Sequence, residues 1–336
     1  MTLHDDLKAV TDESDWFVTI TIPTPSNVED ARTRFELEWR NARRQMSAGW
    51  DDGELARLDE LIGGLRHDVG ASLVVVHARH GSTLVEVLDE PVVATVEEGP
   101  LPRWATVIEA RQRVLAHVVV EADRAGADLT AFDGGDVLAT QTVEGSTLHI
   151  HRGHPGGWSQ PRFQQRAENT WKDNAHQVAD AVADLARKVD AVLVAVSGDI
   201  RAQTFILESL PADIAAVSVK IDAGSPAGIA DEVVRQLATK VAERVTVAAE
   251  EVRAGLANGT ASTDSDAIMD ALRDGRVARL LVHDDGTPGD QTAPTSSDGA
   301  RLVDRAIDAA LATDAEILIV PHLAMMDGPL AATMRW

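Results

Sequence analysis

Apolar and polar positions switch between two periods along this chain, and the switches mark its elements. Near the start, Phe17-Val-Thr-Ile-Thr-Ile-Pro alternates through β-branched residues and reads as a strand ended by proline. From Asn27 to about Gln45 the period becomes helical, with Ala31, Phe35, Leu37 and Trp39 set among charges. A second helix is expected from about Asp52 to His67, where Leu55, Leu58, Leu61, Ile62 and Leu65 recur at three- and four-residue spacing. Two strands come next, Ser72 to His77 and Thr83 to Leu88. This opening α/β segment, preceded by an acidic stretch over residues 1–15, holds no catalytic cluster legible in the sequence.

The next segment opens with Val114-Leu-Ala-His-Val-Val-Val, a run apolar enough for a largely buried strand. Ala125-Gly-Ala-Asp and Asp133-Gly-Gly-Asp are hairpin signals that separate it from strands at Asp128 to Phe132 and Val137 to Val143. A long helix is expected from Pro161, because Trp171, Ala175, Val178, Val182, Leu185 and Val189 are spaced 4-3-4-3-4 in one continuous apolar stripe. Ala191-Val-Leu-Val-Ala-Val then reads as a buried parallel strand that stops at Ser197-Gly-Asp. A helix near 200–209, a strand from Ala215 and a helix over 227–256 complete an alternation that implies a parallel sheet. The last segment repeats the scheme on a small scale: helix 264–274, strand Val277 to Val282, polar loop 284–297, helix 299–312, strand from Glu316 and a closing run Leu330 to Trp336. The pattern as a whole is α/β, and it divides at residues 1–112, 113–257 and 258–336.

Composition narrows the chemistry. The 336 residues carry 54 acids against 31 basic groups, a formal charge of −23. That balance excludes a uniformly basic nucleic-acid coat and argues for solubility. No apolar run approaches the roughly 18 residues that cross a bilayer, and the start MTLHDDLKAV is unlike a signal peptide. No membrane or DNA partner is therefore expected, and the cytoplasm is the expected compartment. The absence of cysteine rules out disulfides, thiolate metal sites and cysteine nucleophiles.

One stretch contradicts the acidic average. From His149 to Lys172 the sequence holds Arg152, Arg162, Arg166 and Lys172 against one acid, Glu168. Within it a strand-like run ends at His154-Pro-Gly-Gly. Gly156 and Gly157 leave the backbone free to approach another molecule closely. Trp158 is a large aromatic left in a loop, Ser159 lies where it can cap a helix, and Pro161 suits that helix's first turn. A basic, aromatic, glycine-bearing loop suits contact with a phosphate backbone, with Trp158 free to stack on a base. The competing interpretation is a solvated helix start whose arginines pair with acids elsewhere. His149, His151 and His154 lack a persuasive further ligand, so neither a metal nor any other cofactor is expected there. Neither phosphate-binding glycine signature occurs, which argues against nucleotide binding of those types. Ser197-Gly198-Asp199 lies at a strand end where α/β proteins bind ligands, yet such ends also simply turn.

At this loop the sequence resembles a family. Hairpin strands, a Gly-Gly loop, a long helix opened by Pro and Arg-Phe, a buried strand and a small α/β segment are the order found in archaeal and eukaryotic class-I peptide-chain release factors and Pelota. The whole chain is similar to the release-factor-like group that includes the hibernation factor Balon and its mycobacterial relatives. The resemblance implies three α/β domains, the middle one of release-factor type and the last a small ribosomal-protein-like α/β sandwich. It implies a ribosome-associated factor that binds the A site in hibernation or rescue, with rRNA and peptidyl-tRNA as partners and room for a translational GTPase. In ordinary release factors the loop carries Gly-Gly-Gln, whose glutamine positions the hydrolytic water. Here Gly156 and Gly157 match the glycines, Ser159-Gln160 and Arg162-Phe163 match the helix start beyond them, and the third position is Trp158. Vms-type relatives use a glutamine a residue or two further on, so the resemblance makes Gln160 the candidate for a peptidyl-tRNA hydrolase. The third alternative is a soluble α/β module that binds a small molecule or a protein without ribosome contact.

Overall fold

Alternation along β1(Phe17–Pro23) sends successive side chains to opposite faces, and both faces are buried. The computed structural model describes residues 5–24, 30–65, 70–133, 136–146, 160–284 and 299–335, with the side chains of 160–167 outside that set. In the first part, α1(Asp5–Thr11) precedes β1, and α2(Ala31–Gln45) and α3(Asp52–Gly64) come after it. Then come β2(Ser72–Ala78), β3(Thr83–Leu88), β4(Thr95–Gly99) and α4(Ala105–Arg113). The sheet has the order β3-β2-β1-β4 and is antiparallel throughout. Val18, Ile20, Ile22, Leu73 and Val75 meet Phe35 of α2 and Leu55, Leu58 and Ile62 of α3. Phe17, Val74 and Val76 point the other way, into a core shared with Leu7, Trp104 and Ile108. The helices α1 and α4 and the strand β4 are absent from the sequence expectations. α1 offers only Leu7 and Val10 as apolar anchors among charges, and β4 carries two consecutive glutamates, one of which, Glu97, is 2.6 Å from Arg103.

The middle part contains β5(His117–Ala122), β6(Gly126–Asp133), β7(Asp136–Glu144), α5(Gln160–Lys188), β8(Leu193–Gly198), α6(Ile200–Ser209), α7(Ala212–Ala215) and β9(Ser218–Lys220). Its sheet order is β7-β6-β5-β8-β9, with hairpin pairing on one side and parallel β5-β8-β9 on the other. The stripe Ala175, Val178, Val182 and Leu185 of α5 covers Val118, Val120 and Leu129. On the opposite face Leu193, Ala195 and Ile221 meet Val233 and Leu237 of α8(Pro226–Asn258). The strand expected from Ala215 is shorter, because residues 212–215 form the turn of α7 first.

The last part contains β10(Ala261–Ser262), α9(Ser265–Arg273), β11(Val277–Val282), α10(Leu302–Ala312), β12(Glu316–Ile319) and β13(Leu330–Met334). Its sheet order is β10-β13-β11-β12, with only the β11-β12 pair parallel. Leu280, Val303 and Ile307 join the core that holds Phe17 and Trp104, while Leu281 and Leu318 pack on Ala248 and Val252 of α8. The buried amide of Gln112 clamps β12, donating to Ile319 O at 2.8 Å and accepting from Ile319 N at 3.0 Å. Residues 1–112 and 245–336 form one compact unit and residues 113–244 another. The polar loop expected over 284–297 lies outside the described residues from 285 onward. Among the described residues, no helix is long and apolar enough to cross a membrane.

Candidate functional site

β7 and α5 carry the chain to either side of the basic glycine loop. Arg152, Gly156, Gly157, Trp158 and Ser159 lie outside the described residues, as do His149, His151 and His154. Gln160, Arg162 and Arg166 fall in the first two turns of α5, where the backbone is described and the side chains are not. The helix starts at Gln160, one residue before the proline expected to open it. Lys172 is the one expected contact residue whose side chain is described. It is exposed, its ammonium is 3.9 Å from Glu168, and it lies 5.3 Å from the ring centroid of Phe205 on α6.

Where the described chain enters this loop, Asn174 joins three segments. It is buried, and its side-chain amide nitrogen donates to Arg124 O at 2.9 Å and Ser146 O at 3.0 Å. Its oxygen accepts from Ser146 N at 2.8 Å. Ser146 is therefore held to α5 by its own backbone groups, which satisfies at a strand end the polar atoms that the sheet does not. The neighbouring Gly145 donates to Ala125 O at 2.6 Å, and a Cβ there would come within 2.3 Å of Asn174 Cγ. Glycine is required at that position by the closeness of the packing.

Arg124 leaves the β5-β6 turn and completes the base. Its guanidinium is 2.9 Å from Asp199 and 4.8 Å from the ring centroid of Trp171. Asp199 also caps α6, accepting from Arg201 N at 3.0 Å and Ala202 N at 3.2 Å. Partial burial acts to raise the carboxyl pKa, but Arg124 and the backbone donors outweigh it and hold Asp199 below the ordinary carboxylate range. Gly198 makes the turn with φ at +105°, where a Cβ would lie 2.0 Å from Ala122 O. The carboxylate at the Ser197-Gly198-Asp199 strand end is thus occupied by a cap and an ion pair. Arg201, one turn before Phe205 on α6, is 5.8 Å from the Trp171 ring centroid. Arg124 and Arg201 thus approach the Trp171 ring of α5, and Lys172, the next residue, lies over the ring of Phe205.

Trp171 is legible in the apolar stripe, whereas Arg124, Asn174 and Arg201 are not among the residues expected from the sequence. Asn174 had a signal: it is a polar residue one step from Ala175 and three from Trp171, inside the buried stripe. Arg124 and Arg201 had none, since their proximity to Trp171 comes from the turn of one strand pair and the start of another helix.

Residues 116–258 match the model of the bacterial archaeo-eukaryotic release factor family 2. The uncharacterized protein Rv2629 of Mycobacterium tuberculosis is 26% identical over 291 residues, covering 83% of this chain and 77% of that one. Among solved structures, ribosome-bound archaeal Pelota with ABCE1 is similar at 14% identity over 100% of this chain and 94% of that chain, with a TM-score of 0.43. The archaeal translation termination factor aRF1 is similar at 17% identity over 98% and 96%, with a TM-score of 0.25.

Proposed function

We propose that this protein, whose segment 116–258 matches the bacterial archaeo-eukaryotic release factor family 2, is a ribosome-associated translation factor of the cytoplasm. It binds the A site and serves hibernation or the rescue of stalled ribosomes. The observation that carries this reading is the match of that segment, which contains both the Gly156-Gly157 loop and α5. The narrower kinship with the Balon group is part of the same proposal, as are the working domains 1–112, 113–257 and 258–336 and a translational GTPase as delivery partner.

In this reading Gly156 and Gly157 shape the loop, and Arg152, Arg162, Arg166 and Lys172 meet rRNA phosphates by charge. Ser159 supports the helix start, and Trp158 stacks on a base of rRNA or of the tRNA end, a contact of about 1–3 kcal/mol. Arg201 adds a further cation from α6, while Asn174 and Arg124 fix the loop's base. Trp158 stands where ordinary release factors place glutamine, so binding without hydrolysis is the leading form of the proposal. The alternative is a peptidyl-tRNA hydrolase that uses Gln160 to orient the attacking water.

A release assay on 70S complexes carrying peptidyl-tRNA in the P site separates the two. The proposal expects the wild type to compete with A-site tRNA while releasing no peptide. Release that disappears in Gln160→Ala would establish the hydrolase instead. The charge of −23 and the Glu168 neighbour of Lys172 favour a third reading, a module without ribosome contact. Absence of any competition with A-site tRNA would favour that one.

A further inference from the structure

At the start of α3, side chains from two separate stretches converge on one buried carboxylate. Glu54 is fully buried. Its Oε2 accepts from Asp51 N at 3.3 Å, and its Oε1 accepts the backbone N–H of His80 in the β2-β3 turn. Asp51 caps the helix through Oδ1, which accepts from Glu54 N at 2.8 Å, leaving Oδ2 directed at His80. His80 Nδ1 is 3.3 Å from Glu54 Oε1 and 3.7 Å from Asp51 Oδ2. Donor atoms of Asp51, Glu54 and His80 all lie within 4.8 Å of one another.

An independent observation comes from beneath the cluster. His77, on β2, is only 2% exposed, and its Nδ1 is engaged with Thr83 Oγ1 at 2.8 Å. Its Nε2 has no hydrogen-bond partner among the described residues and stands 3.8 Å from Glu54 Oε1. A buried ring nitrogen without a partner, aimed at a buried carboxylate, is a costly arrangement for a site that holds nothing. Among the described residues, the side chains that face Glu54 as ion-pair partners are these two histidines, so no arginine or lysine salt bridge offsets its burial. The helix cap accounts for one lone pair on each carboxylate oxygen it uses, and a carboxylate has further lone pairs to offer.

We infer that Asp51, Glu54 and His80 form a binding site for a divalent zinc-type cation that ties the start of α3 to the β2-β3 turn, with His77 buried behind Glu54. One imidazole and two carboxylates, with no thiolate, are a donor set suited to zinc. Ligand bonds of about 2.0–2.2 Å give tetrahedral donor–donor separations of roughly 3.3–3.6 Å, and the His80–Glu54 and His80–Asp51 separations of 3.3 and 3.7 Å lie close to that range. Asp51, Glu54 and His80 supply the ligands, and His77, 3.8 Å from Glu54 Oε1, orients that carboxylate from beneath. With three protein donors, the fourth position of a tetrahedral site is left to water.

The test is a titration of the full chain with zinc against a chromophoric chelator, paired with thermal unfolding. His80→Asn is the informative variant, since His80 is exposed and its φ of +63° is one that asparagine tolerates. The wild type should bind one equivalent saturably and unfold at a higher temperature with zinc. His80→Asn should lose at least about tenfold in affinity, a loss of the size typical for disturbed metal shells, and lose the thermal shift. His77→Gln should weaken binding as well. The triple change His149→Ala, His151→Ala and His154→Ala should leave the one-equivalent site intact. Equal binding by wild type and His80→Asn, binding that vanishes in the triple variant, or no saturable binding would each overturn the inference.

Discussion

Asn174 concentrates at one residue what the loop base requires. Its amide serves two backbone carbonyls and one backbone N–H, joining the β5-β6 turn, the residue before the loop and the long helix. A leucine, with the same number of side-chain heavy atoms, would make none of these bonds. Leaving partly buried backbone groups without partners costs on the order of 1–3 kcal/mol. Asn174→Leu should therefore lower the urea midpoint by that equivalent with an unchanged denaturant slope. A midpoint equal to wild type would mean that water replaces the amide fully and that Asn174 does not fix the loop base. Such a residue is half legible in a sequence. Its polarity breaks an otherwise apolar stripe, but Arg124 and Ser146 stand 50 and 28 positions away and only the fold supplies them.

At the scale of elements, the edge of the β5-β6 ladder carries a titratable group. His117 stands opposite Phe132 in register, and the rings stack with centroids 4.7 Å apart. Burial lowers the pKa of His117 below 6.5, and its contact with Leu115 O only partly opposes this. The unfolded chain therefore binds a proton more readily than the folded one. Stability from this group is complete above about pH 6.5 and falls as the pH drops below it. His117→Phe, which keeps an aromatic ring beside Phe132, should reduce the loss of urea midpoint between pH 7.5 and 5.5. Parallel losses in the two proteins would refute the role of His117. The elements themselves were readable where one period dominated: β1, β2, α5, β8 and β11 follow the apolar pattern of the chain. α1, β4 and α4 escape the pattern because their anchors are few and charges are satisfied by distant partners, as Arg111 of α4 is by Asp6 of α1 and by Glu86. The Asp51–Glu54–His80 cluster escaped for a related reason. An Asp-x-x-Glu pair at a helix start reads as a capping box, which it is, and nothing in the sequence brings the turn after β2 beside it.

On the scale of the whole molecule, a strongly acidic chain presents a locally basic loop. With a formal charge of −23, long-range attraction to rRNA is unfavourable, so the proposed binding rests on close contacts around the loop and the start of α5. Arg162 and Arg166 are the natural pair to remove, because they lie on the helix that the release-factor match includes and outside the base formed by Asn174 and Arg124. Phosphate contacts release counterions, so their contribution weakens as salt rises. The most direct measurement is co-sedimentation of the full chain with 70S ribosomes at low and moderate salt, for the wild type and for Arg162→Ala with Arg166→Ala. The account predicts that the wild type pellets, that the double variant pellets less at every salt concentration, and that the variant's binding falls less steeply with salt. A wild type that stays in the supernatant throughout, or a variant that pellets equally well, would contradict it.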